Sequence, residues 1–101
     1  MAVTIIGDLF IKPDELNWMI SWLQRVLPNT RKAEGCLSAE LHQNEDDVNN
    51  LIIVQEFTTR EHYLAYMNGL AGREEPSGDL KRYFASFERP AIVRYFKHIK
   101  S

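Results

Sequence analysis

The chain has 101 residues, 45 % of them hydrophobic and 26 % charged, and a formal net charge of −2. One domain spanning residues 1–101 is expected, with a modest core, because a chain of this length buries roughly 60–65 % of the surface its unfolded form exposes. The charge excludes the broad basic field that nucleic acid or an anionic membrane would require. No apolar run approaches the ~20 residues of a membrane span. Residues 1–11 lack the regions of a secretory signal and Cys36 is the single cysteine, so a reducing, cytoplasmic setting is expected.

Residues 3–11, VTIIGDLFI, are rich in β-branched side chains and predict a strand. Gly7 within it suggests a bulge or the close approach of something bulky. Pro13 suits the first turn of a helix, and Asp14 and Glu15 complement its positive end. Leu16, Met19, Ile20, Leu23, Val26 and Leu27 then form one apolar stripe, with Trp18 and Trp22 a turn apart on its flank. Pro28 predicts a kink or an end near Leu27.

GCLSAELHQ, the polar turn NEDDVNN and LIIVQEF predict a β-hairpin. In its first strand Leu37, Ala39 and Leu41 are expected on one face, and Cys36, Ser38, Glu40 and His42 on the other. The second strand is apolar on both faces from Leu51 to Val54, as expected where both faces are covered. Thr58 to Glu61 reads as a capping box with Thr58 as N-cap. The helix it opens carries Tyr63, Leu64, Met67 and Leu70, with Tyr66 beside them. Ser77 or Asp79 is positioned to cap a short helix containing Leu80, Tyr83 and Phe84, and AIVRYFKHI after Pro90 predicts the last strand.

The order is therefore β-α-β-β-α-β, an α+β, ferredoxin-like arrangement with an antiparallel sheet. One sheet face meets the helices. The other is also apolar, and the chain has no further element to cover it, so a second copy is the expected cover.

At EGCLSAELHQ, LIIVQEF and TTREHYLAYM the chain resembles the antibiotic-biosynthesis monooxygenase family, as it does in the entry to its first helix (IKPDEL), the entry to its hairpin (AEGCL) and its final strand (RPAIVRYF). The resemblance implies a homodimeric α+β barrel with a cavity in each subunit between sheet and helices. It further implies oxygenation of a small aromatic or quinol-type metabolite by O₂ with no cofactor: neither flavin, haem nor metal. The chain departs from the family pattern in having Glu56-Phe57 where a Glu-Trp is common, and Tyr66 where many members place a His.

Among the candidate residues, Glu56, His62, Tyr63 and Asp8 are assigned proton handling and catalysis. Glu56 closes an apolar strand on the face of Ile52 and Val54, where a carboxyl must be paired or be driven toward its neutral form. Asp8 poses the same question in the first strand. Each has an ordinary alternative, an ion pair or a solvated strand end for the carboxyls and a solvated first helical turn for His62. Phe57, Tyr66, Trp22, Trp18 and Met67 are assigned to substrate binding by stacking, the alternative being plain core packing. His42, His62 and His98 show no metal-ligand spacing, so no metal is expected. Cys36 lacks the partners of a nucleophile. AGREEPSGD is a candidate cavity lid. A non-catalytic dimeric binding module, or an isomerase or lyase on the same scaffold, is the alternative reading.

Overall fold

The computed structural model of the chain describes residues 2–71 and 77–101. Its elements run β1 (Val3–Phe10), a short 3-10 turn (Pro13–Glu15), α1 (Leu16–Thr30), β2 (Cys36–Gln43), β3 (Asn50–Phe57), α2 (Arg60–Ala71), α3 (Asp79–Ala85) and β4 (Ile92–Lys97). The four strands form one antiparallel sheet in the order β2-β3-β1-β4, the ferredoxin-like arrangement expected from the element order. The candidate lid falls largely outside the described residues.

Side-chain alternation divides the sheet into two faces. Ile5, Leu9, Leu51, Ile53, Phe57 and Ala39 point at the helices and are buried. Thr4, Ile6, Asp8, Ile52, Val54 and Glu56 occupy the opposite positions of β1 and β3 and are half-buried. On β4, Ile92 and Phe96 extend that outer face and remain exposed.

Two apolar clusters fill the space beneath the helices. The larger joins Leu9, Ile53 and Leu51 to Met19, Trp22, Leu23 and Leu27 of α1. The smaller packs Ile5 and Phe57 against Tyr63 of α2. The inward positions between these clusters are Gly7 on β1 and Gln55 on β3: one has no side chain, the other a polar one. The core is interrupted there.

Three local expectations change. Cys36 pairs with Phe57, and a bulge at Leu37 puts Cys36 on the helix side while leaving Leu37 exposed. The extra residue of a bulge reverses the alternation before it. The N-cap of α2 is Thr59, whose Oγ1 accepts a hydrogen bond from the His62 N–H at 3.1 Å, one residue later than the capping-box reading. Finally, α1 runs through Pro28 to Thr30, and the Arg31 N–H reaches the Leu27 carbonyl at 2.9 Å. So close to a helix end, proline removes one bond without stopping the helix.

The segment after α3 is stitched to the end of β1. Lys12 N–H donates to the Ser86 carbonyl at 2.9 Å, Glu88 N–H donates to the Phe10 carbonyl at 2.8 Å, and Ile11 bridges to Phe87. These bonds hold the aromatic side chains of α3 and its C-terminal flank over the gap in the core.

Candidate functional site

Over the interruption in the core lies a cavity of about 200 Å³. Gly7 and Gln55 form part of its floor, with Leu9, Ile53 and Val93 beside them. Trp22, Leu23, Val26 and Leu27 of α1 line it, as do Tyr63, Tyr66 and Met67 of α2. Tyr83, Phe84 and Phe87 complete the lining, and Phe84, half exposed, marks its rim.

Gly7 is central to the space. A Cβ built on it would meet nothing nearer than the Ile53 carbonyl oxygen at 3.9 Å, so any side chain there would project into the cavity. The aromatic walls are themselves braced. Trp18 stacks on Trp22 at 5.6 Å and 15°, Arg82 lies 4.4 Å from the Trp18 ring, and Tyr83 tilts against Trp22 at 4.9 Å. Behind the wall, Phe57 meets Tyr63 edge-on at 5.6 Å, and Tyr63 meets Tyr95 edge-on at 5.9 Å.

The polar equipment of the cavity is small and uncharged. Thr30 and Tyr66 share a hydroxyl hydrogen bond of 2.7 Å. Gln55 is only 8 % exposed, and its Oε1 has no hydrogen-bond partner. Burial pushes the Tyr63 phenol up to about 12, with smaller contributions from Tyr95 and Tyr66, and does the same to Tyr83. Both phenols are therefore neutral at physiological pH and able to donate hydrogen bonds. The described lining residues include no carboxylate, imidazole, lysine or arginine.

Of the residues singled out from the sequence, the structure brings Trp22, Tyr63, Tyr66 and Met67 together around the cavity. Trp18 and Phe57 stand behind this lining, Trp18 stacked on Trp22 and Phe57 fully buried against Tyr63. Glu56 and Asp8 lie on the opposite face of the sheet, where Asp8 Oδ1 accepts a 2.7 Å bond from Asn50 Nδ2.

His62 sits outside the cavity, in a shallow depression lined also by Glu34, Ala65 and Tyr66. Its Nδ1 is held by Thr59 Oγ1 at 2.6 Å and Thr58 Oγ1 at 3.2 Å, and its Nε2 is 3.9 Å from Glu34. The ring packs on Gly35, which has φ +82° and whose missing Cβ would fall 2.5 Å from the ring's Cγ. For Cys36, burial raises the thiol pKa, opposed by a backbone hydrogen bond at Ser38 and by the Arg31 charge. Among the described residues no group of three or more His, Cys, Asp and Glu could hold a metal ion, and no helix is long and apolar enough to cross a membrane.

Sequence reading passed over Gln55, Thr30, and the aromatic contribution of Tyr83, Phe84 and Phe87. For Gln55 a signal existed: it shares parity with Phe57, Ile53 and Leu51, so a polar residue interrupts an otherwise apolar inward row.

The fold is shared with solved structures. The structure of Rv0793 from Mycobacterium tuberculosis is 19 % identical with a TM-score of 0.78, covering 100 % of this chain and 98 % of that one. The crystal structure of PA3566 from Pseudomonas aeruginosa is 15 % identical with a TM-score of 0.78, covering 98 % and 95 %. A crystal structure described as an antibiotic biosynthesis monooxygenase is 16 % identical with a TM-score of 0.80, covering 97 % and 99 %. No curated protein matches the chain. The family model Antibiotic biosynthesis monooxygenase matches residues 2–74. That stretch takes in both central strands and the two helices that contribute most of the cavity lining, and on it the chain belongs to the antibiotic biosynthesis monooxygenase family.

Proposed function

We propose that the cavity binds a small aromatic or quinol-type metabolite and that the protein oxidises it with O₂ as a cofactor-independent monooxygenase. The observation that carries this reading is the cavity itself: about 200 Å³, walled by Trp22, Tyr63, Tyr83 and Phe87. An apolar cavity of about 150 Å³ takes up benzene, so this volume suits one or two fused rings.

The chemistry must suit a lining without charge, where an isolated anion is disfavoured by desolvation. For a naphthol, the hydroxyl proton then leaves together with an electron, both passing to O₂. The resulting aryloxyl and hydroperoxyl radicals join at the ring carbon para to the oxygen. Loss of water from that hydroperoxide gives the quinone: one oxygen atom of O₂ enters the ring, and the other leaves as water with the two hydrogens. The protein's part is to exclude water and orient the ring. Glu56 and Asp8, on the outer sheet face, would act only across an interface with a second copy.

Oxygen uptake by chelator-treated protein against naphthols and hydroquinones tests the reading. Protein-dependent uptake matched by quinone formation supports it; uptake no faster than the protein-free rate contradicts it. The uncharged lining favours one second reading, a dimeric binding module, which would show thermal stabilisation by the same compounds with no turnover.

A further inference from the structure

We infer that the Gln55 carboxamide is the specificity-determining contact of the cavity, accepting a hydrogen bond from a hydroxyl or N–H on a neutral ring ligand, so that the pocket prefers hydroxy-aromatics to their O-methyl ethers and to aromatic carboxylates. The inference deepens the proposed function and rests on the reading that the cavity takes a ring compound.

The inward positions of β3 are Leu51, Ile53, Gln55 and Phe57, and a Leu or Met at the third would continue the apolar row. The register partners of Gln55 are Ile5 and Ala39, whose side chains carry no hydrogen-bond donor. Oε1 is buried without a partner. A buried carbonyl oxygen left unpaired is an exception that calls for an explanation, and a ligand donor that enters only on binding is one.

The rest of the polar lining fits the same ligand. In the Thr30–Tyr66 pair one hydroxyl donates and the other accepts, and the accepting one keeps its own hydrogen. Gln55 lines the cavity and its Oε1 lacks a partner, while the hydroxyl pair keeps a spare O–H. A neutral hydroxyl, donor and acceptor at once, can answer both. A methyl ether lacks the donor. A carboxylate lacks it too, and would bring a charge into a lining whose described residues supply no cation.

Binding of 1-naphthol, 1-methoxynaphthalene and 1-naphthoate to the full chain and to Gln55→Met and Gln55→Leu, followed by calorimetry, tests the inference. Wild type is expected to prefer 1-naphthol to the ether by about tenfold or more and to reject the carboxylate. Gln55→Met, close in volume, should bring the naphthol-to-ether ratio near one while leaving the melting temperature unchanged or higher, a pattern that a merely structural glutamine would not give. Gln55→Leu supplies the same readout if the Met variant folds poorly. Binding of naphthol and ether with equal affinity in wild type, or a ratio unmoved by Gln55→Met, overturns the inference while leaving the ring-binding reading standing. No binding of any of the three compounds overturns both.

Discussion

The hydroxyl of Thr30, the last residue of α1, meets that of Tyr66 in α2 at 2.7 Å, and the contact ties together two helices that wall the cavity. Because Thr30 is only 3 % exposed, its hydroxyl has little access to water as a substitute partner. Tyr66→Phe should therefore cost about 1–2 kcal/mol in urea unfolding, and Thr30→Val a similar amount. The double variant should cost less than the sum, by on the order of 1 kcal/mol. Strict additivity would mean that the pair contributes no coupling.

Two glycines should respond in opposite directions to alanine. Gly35 has φ +82° and a Cβ there would strike the His62 ring, so Gly35→Ala should destabilise by about 2 kcal/mol or more. Gly69, within α2, has open space where its Cβ would go. Gly69→Ala should stabilise by about 0.5–1 kcal/mol. Chemical denaturation of the two variants measures both.

Element order and the two sheet faces were legible because they depend on local periodicity. The outward placement of Glu56 with Ile52 and Val54 follows from parity alone, and the same parity sets Gln55 inward. What stayed hidden was long-range. Nothing near Tyr83 or Phe87 in sequence announces that backbone bonds to Phe10 and Lys12 will hold that segment beside the cavity. The reversal of Cys36 depends on a single bulge residue, and the start of α2 on which of two adjacent threonines caps it.

The buried phenols set an alkaline limit. Tyr63 and Tyr83 are raised from 10 to about 12 in the folded chain, chiefly by burial. Below pH 10 both states are protonated and stability is undiminished. Between pH 10 and about 12 the unfolded chain ionises first, so stability falls, by on the order of 2 kcal/mol per ring, and levels off above that. Tyrosinate absorbance of the folded protein should show two late-titrating phenols. Tyr63→Phe and Tyr83→Phe should each remove one and flatten the loss.

The outer sheet face carries Ile6, Ile52, Val54, Ile92 and Phe96, which within one chain have no covering layer among the described residues. We expect a second copy to cover it. Light scattering should then give about twice the 11.8 kDa chain mass. Val54→Glu, which sets a charge in the middle of that face, should give the single-chain mass with the fold retained. A wild-type monomer would leave the face unexplained.

The most direct test of the cavity as the ligand site is titration of tryptophan fluorescence with 1-naphthol in wild type and Gly7→Val. Trp22 lines the cavity, and valine at position 7 would intrude on it from the floor, where a Cβ meets nothing nearer than the Ile53 carbonyl oxygen at 3.9 Å and a β-branched residue suits the strand. The account predicts saturable quenching at one ligand per chain in wild type and its loss in a Gly7→Val protein of equal or greater stability. Quenching that is unchanged in Gly7→Val would place the ligand elsewhere and contradict the account.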